Sequence, residues 1–140
     1  MVHKADLEKC EKTLKRIETV VDVFCISKIN FHLLAVFSYQ MAGIYCLHGE
    51  KEKGFEQFKR YVDLTLDFLQ GDAQYLCCDD YFDRLDVWVE GNVIGGQLPR
   101  GKKLVCDGLR MSFDAPEFAI LQKEKAFQAL QKHVENMTIL

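Results

Sequence analysis

Proline is scarce in this chain, with two in 140 residues, and glycine numbers nine. That composition excludes collagen-like, fibrous and low-complexity disordered chains. A charge excess of one sign is lacking too. The formal net charge is -3 and the pI near 5.8, which gives no general attraction to nucleic acid or to an anionic membrane. No uninterrupted apolar run reaches the roughly 20 residues of a membrane span. The most apolar stretch, 29–47, is interrupted by Asn30, His32, Ser38 and Gln40. The opening residues, MVHKADLEKCEK, carry charge in place of an apolar signal core, so the expected location is cytoplasmic.

Motifs that carry chemistry are missing as well. Six cysteines occur (Cys10, Cys25, Cys46, Cys77, Cys78, Cys106) without any C-x-x-C spacing. The vicinal pair Cys77-Cys78 therefore fits neither a zinc site nor a thioredoxin-type motif. In a reducing compartment all six are expected as thiols, and the two aspartates after Cys78 disfavour a nucleophilic thiolate there. His32, His48 and His133 lack ligand spacing, and no Glu-x-x-His pair is present, so no metal is expected. Gly95, Gly96 and Gly101 with Lys102-Lys103 lack the G-x-x-x-x-G-K-[ST] sequence of a phosphate loop. Without a G-x-S-x-G or Ser/His/Asp pattern, the expectation is a protein that is not an enzyme and holds no cofactor.

What the chain does have is helical periodicity. Leu7, Cys10, Leu14, Ile17, Val21 and Phe24 recur at steps of three and four, which predicts an amphipathic helix near 5–28. Glu8–Lys12 and Glu11–Lys15 stand in the favourable order for i,i+4 ion pairs, and the apolar end, VVDVFCI, is expected as buried helix. A second helix near 31–48 is apolar on almost every side and belongs in the centre of a bundle. Gly43 inside it suggests the close approach of a neighbour, and Gly49 a left-handed cap. A third helix is predicted near 50–70 and a fourth near 73–91, the latter with Tyr75, Leu76, Phe82, Leu85, Trp88 and Val89 inward. A Gly-rich loop is expected over 91–113. The last helix, near 114–137, opens on a capping box of Asp114 and Glu117 with Pro116 in its first turn. The sum is an all-α, single-domain bundle of about five helices with a long loop before the last.

Within that bundle, residues 39–62 read YQMAGIYCLHGEKEKGFEQFKRYV. Met41, Ala42 and Tyr45, then Gly49 at the turn, then Gly54 and Phe58 match the pattern of a tetratricopeptide repeat, and the stretch resembles one such hairpin. The resemblance implies packing of paired helices. Tyr61 departs from it at a position that is usually small, and no second copy follows at about 34 residues.

The sharpest polar pattern lies in the predicted fourth helix. Asp79, Asp83, Asp86 and Glu90 follow at steps of four, three and four with Asp80 beside them, so they share one face. A solvated acidic face and a docking surface for a partner with a basic surface both account for it. Arg100, Lys102, Lys103 and Arg110 form a small basic patch in the expected loop, either solvated or facing the acidic helix. The resulting functional expectation is a helical protein-interaction module. An immunity protein, or an adaptor or chaperone for a bacterial toxin or secreted partner, has this size, charge and class. Two alternatives stay open: a ligand sensor or small enzyme with a pocket lined by His32, Tyr39, Tyr45 and Trp88, and a homodimer that buries the second helix.

Overall fold

The computed structural model describes residues 6–25, 31–71 and 101–137. Five α-helices and one 3₁₀ helix account for nearly all of them, without a strand among those residues, so the fold is all-α. Helix α1 spans Leu7–Val23. Asp6 starts it by accepting from the Lys9 amide at 3.3 Å, and Lys12 pairs with Glu8 at 2.6 Å as its spacing predicts. The helix stops five residues short of expectation. Cys25 stands at φ 49°, a left-handed conformation that costs a non-glycine residue roughly 1 kcal/mol or more. The last turns are buried on one face only: Val21 is buried, whereas Val20 is 47% exposed, Val23 65% and Phe24 43%. Leu14 and Val21 are the buried residues of α1.

Helices α2 (Phe31–Leu47) and α3 (Lys51–Gln70) form an antiparallel hairpin. Gly49 turns the chain at φ 81°. Its amide donates to Cys46 O at 3.0 Å, and the Glu50 amide to Tyr45 O at 2.9 Å, the two reverse bonds of a Schellman C-cap. The two helices approach closely at Gly54. A Cβ there would lie 2.6 Å from Cys46 Sγ and 3.5 Å from Ala42 O. At Gly43, where sequence suggests the close approach, an added Cβ would meet, among the described residues, the Glu117 side chain at an ordinary 3.6 Å.

The third helical region departs from expectation most. Where the 91–113 loop is described, it is helix α4, Lys102–Ser112. Gly108 costs about 1 kcal/mol relative to alanine in that position. Burying Leu109 and Phe113, at 0% and 1% exposure, offsets it with about 1.5–3 kcal/mol for each side chain. The expected single helix after it is two elements, a 3₁₀ helix at Pro116–Leu121 and α5 at Lys125–Glu135. Its inner stripe runs Phe118, Leu121, Phe127, Val134, and the six-residue step from Leu121 to Phe127 breaks the 3.6 period. The chain turns within that step, where the Gln122 amide side chain donates to Phe113 O at 2.6 Å. Pro116 does open the 3₁₀ helix, but Asp114 does not cap it. The N-cap is Ala115, without a side-chain bond.

These elements close on Phe58, which is fully buried. Its ring centroid lies 5.0 Å from that of Phe113, 4.6 Å from Phe118 and 5.1 Å from Phe127, within the range of favourable aromatic pairs. Val62, Leu66, Phe68 and Leu69 of α3, Ala42 and Cys46 of α2, Cys106 and Leu109 of α4, Leu121 of the 3₁₀ helix and Val134 of α5 complete the cluster. Helix α1 belongs to a second, smaller cluster of Leu14, Met41 and Tyr45, with Leu7, Cys10, Phe37 and Ile44 at its edge.

Candidate functional site

Two arrangements of polar side chains stand on this framework. The first joins α1 to the hairpin. Glu11 accepts at one carboxylate oxygen from both Lys53 Nζ at 2.8 Å and Tyr45 Oη at 3.3 Å. Lys53 Nζ also sits 5.5 Å above the Tyr45 ring centroid, within cation–π reach. Two turns on, Arg60 Nη1 pairs with Glu18 at 3.0 Å. Glu11 and Glu18 are seven residues apart on α1, as are Lys53 and Arg60 on α3, so α1 runs parallel to α3 and antiparallel to α2. The hydrogen bond from Lys53 holds the Glu11 carboxyl below its ordinary value, and Glu11 in turn raises Lys53. Burial, then the nearby Glu11 charge, pushes the Tyr45 phenol up. Glu11 was expected to pair with Lys15. It pairs across the helix interface instead, where its carboxylate finds two donors.

The second arrangement ties down the chain on either side of the undescribed 72–100 stretch. Lys102 Nζ donates to Gly71 O at 2.8 Å and to Leu69 O at 3.3 Å. An ammonium on the last carbonyls of α3 also meets the negative end of its dipole. Arg110, at the other end of α4, donates to Met137 O at 3.2 Å. The basic patch is thus not a loop feature: Lys102, Lys103 and Arg110 stand on a helix, and two of them hold backbone carbonyls. Arg100 lies outside the described residues, as do the acidic face (Asp79, Asp80, Asp83, Asp86, Glu90) and Cys77-Cys78.

Of the residues considered for a pocket, Trp88 also lies outside the described residues, and Tyr39 and Tyr45 stand on different flanks of α2. Tyr39 faces the main core, edge-on to Tyr61 and Phe118, and donates to Glu117 at 3.0 Å. Its phenol is raised by burial and then by that carboxylate. Tyr45 faces α1. Burial, with Glu117 nearby, pushes the Cys46 thiol up to about 11, so it is a core residue and not a nucleophile at neutral pH. Among the described residues no group of three or more His, Cys, Asp or Glu side chains is placed to hold a metal ion. No described helix is long and apolar enough to cross a membrane.

Set beside known proteins, the chain matches no family model, no curated protein and no solved structure. The residues that carry the tetratricopeptide resemblance have packing roles: Gly49 turns the hairpin, Gly54 lets α2 and α3 approach, and Phe58 fills the core. Sequence reasoning missed Glu18, Lys53 and Arg60 as joining residues. The available signal was the seven-residue spacing repeated in both helices.

Proposed function

We propose that the chain is a non-enzymatic protein-interaction module that docks a partner with a basic surface on Asp79, Asp80, Asp83, Asp86 and Glu90. Its finer form is an immunity protein, or an adaptor or chaperone, for a bacterial toxin or secreted partner. The carrying observation is the carboxylate spacing of four, three and four residues. On one helical face, like charges at i,i+4 cost about 0.2–0.5 kcal/mol per pair, which a cationic partner relieves. A local net negative field also steers association with a basic surface.

The test is a binding titration against the products of adjacent genes, comparing the wild type with Asp83→Lys/Asp86→Lys at low and moderate salt. The expected outcome is at least a roughly tenfold loss of affinity for the variant, about 1.4 kcal/mol, and a wild-type on-rate that falls with salt. Circular dichroism of the variant checks that its helices persist. An unchanged affinity for every partner bound by the wild type reduces the stripe to solvated surface.

A further inference from the structure

One face of α4 is its own complement, and we propose that two copies of the chain pair through it, α4 against α4 in antiparallel order about a two-fold axis. This proposal is independent of the acidic stripe. Lys103, Asp107, Arg110 and Asp114 follow at steps of four, three and four along α4 and into its last turn, where the Asp114 amide donates to Met111 O at 3.2 Å. That spacing sets them on one flank. All four are exposed, and among the described residues none of them forms an ion pair. Arg110 gives one donor to Met137 O and keeps the rest of its guanidinium for a carboxylate. The charges alternate in sign along the flank. An antiparallel two-fold pair turns each flank toward the same flank of the other helix. Centred midway between Asp107 and Arg110, it sets Lys103 opposite the partner's Asp114 and Asp107 opposite the partner's Arg110, and symmetry repeats both pairs. A parallel pair would oppose like charges at every position, and a partner of a single charge sign would meet two repelling side chains. The stripe therefore matches its own reversed copy.

The apolar part of the face has the same symmetry. Beside the charged flank run Leu104, Gly108 and Met111, at steps of four and three. Leu104 is 59% exposed, and Met111, at 74%, is the most exposed large apolar side chain described. Between them, a Cβ on Gly108 would meet nothing within 4 Å among the described residues. No contact there requires the glycine, although glycine weakens a helix. In the antiparallel pair Leu104 stands beside the partner's Met111, and the two glycines let the backbones approach at the centre. The opposite face of α4 keeps Cys106, Leu109 and Phe113 in the core, so pairing leaves the fold unchanged. Eleven residues make a helix about 16 Å long, a contact at the small end of specific interfaces, below about 1,200 Å². The dimer is accordingly weak, with a dissociation constant between about 10 µM and 1 mM.

Sedimentation equilibrium of the full chain across that concentration range gives the first test. The average mass is expected to rise from 16.2 kDa toward twice that value, and Met111→Lys to weaken the association at least roughly tenfold. A four-site reversal, Lys103→Glu/Asp107→Lys/Arg110→Glu/Asp114→Lys, isolates the stripe, with circular dichroism to check that the helices persist. The reversed chain is again its own complement, so it is expected to self-associate as the wild type does. Against the wild type it sets like charges opposite each other. The amide spectrum of dilute ¹⁵N-labelled wild type is therefore expected to shift on adding unlabelled wild type and to stay unchanged on adding the reversed chain. A mass that stays at 16.2 kDa throughout, or a reversed chain that binds the wild type as well as it binds itself, overturns the proposal. So does a Met111→Lys variant that loses thermal stability at concentrations where the wild type is monomeric, because that result assigns the face to contacts within one chain.

Discussion

Adding one methyl group at Gly54 tests how tightly α2 and α3 pack, because the outcome depends on a single sulfur atom. The Cβ of Gly54→Ala would lie 2.6 Å from Cys46 Sγ, a separation that real Cβ contacts essentially never show. Cys46 is 3% exposed, and a helical side chain with its sulfur directly on Cβ has few other rotamers to adopt. The helices must therefore separate or the sulfur must enter a strained position. Overpacking of this kind costs roughly 1–3 kcal/mol. Alanine returns about 0.5–1 kcal/mol of helix propensity, so a net destabilisation of about 1–2 kcal/mol is expected.

Cys46→Ala removes the obstructing atom. The remaining neighbours of the new Cβ, Cys46 N at 3.4 Å and Ala42 O at 3.5 Å, are at ordinary contact distance. In that background Gly54→Ala keeps its propensity gain and becomes neutral or stabilising by up to about 1 kcal/mol. The four proteins of the cycle, unfolded in urea and followed by circular dichroism, are expected to show a coupling of about 2 kcal/mol. Additivity within about 0.5 kcal/mol would show that Cys46 moves aside freely and that the hairpin is not tightly packed at Gly54.

Two further outcomes follow from single polar groups on α1 and α2. Ser38 is fully buried and its hydroxyl has no hydrogen-bond partner among the described residues, so Ser38→Ala is expected to stabilise the protein by about 1–2 kcal/mol in the same urea assay. A loss of stability would reveal a bond that the hydroxyl makes. The hydrogen bond from Lys53 holds the Glu11 carboxyl below its ordinary value of 4.5 in the folded chain, so the stabilisation it provides is present above that value and is lost as pH falls through the folded one. The stability difference between wild type and Glu11→Gln should therefore shrink as pH is lowered below about 4.5, and a difference that persists unchanged at pH 3 would refute the Lys53 pairing as its source.

The hairpin was legible in the sequence because its signals are local. Gly49 sits directly after an apolar run, and the charged face of α3 alternates with Phe58, Val62 and Leu69 at helical spacing. Helix α4 was hidden by glycine. Gly101 and Gly108 read as loop residues, yet Gly101 is the N-cap and an added Cβ at Gly108 would meet nothing within 4 Å among the described residues. The informative feature was the spacing of Val105, Cys106, Leu109 and Phe113, which keeps helical phase through Gly108. At the C-terminal region the reverse holds: a capping box and a proline suggested one long helix, and the six-residue step from Leu121 to Phe127 marked the break. Glu117 shows why a local pattern is insufficient. Its three-residue spacing from Asp114 fits a capping box, but a phenol from another helix, Tyr39, is the donor it meets.

The same contrast separates α1 from the rest of the fold. The main core is made by residues whose sequence signature is bulk: Phe58, Phe113, Phe118 and Phe127 are all fully buried or nearly so. Removing such a side chain costs about 3–5 kcal/mol because the surrounding rings cannot collapse into the space. Helix α1 offers no aromatic residue to that core. Its own cluster is built on Leu14, and the ion pairs that flank it are half exposed, where water and salt weaken them. Such pairs set register and direction more than they add stability, since they admit one parallel alignment of Glu11 and Glu18 against Lys53 and Arg60. Helix α1 is therefore aligned by its ion pairs and held chiefly by the burial of Leu14 against Met41 and Tyr45.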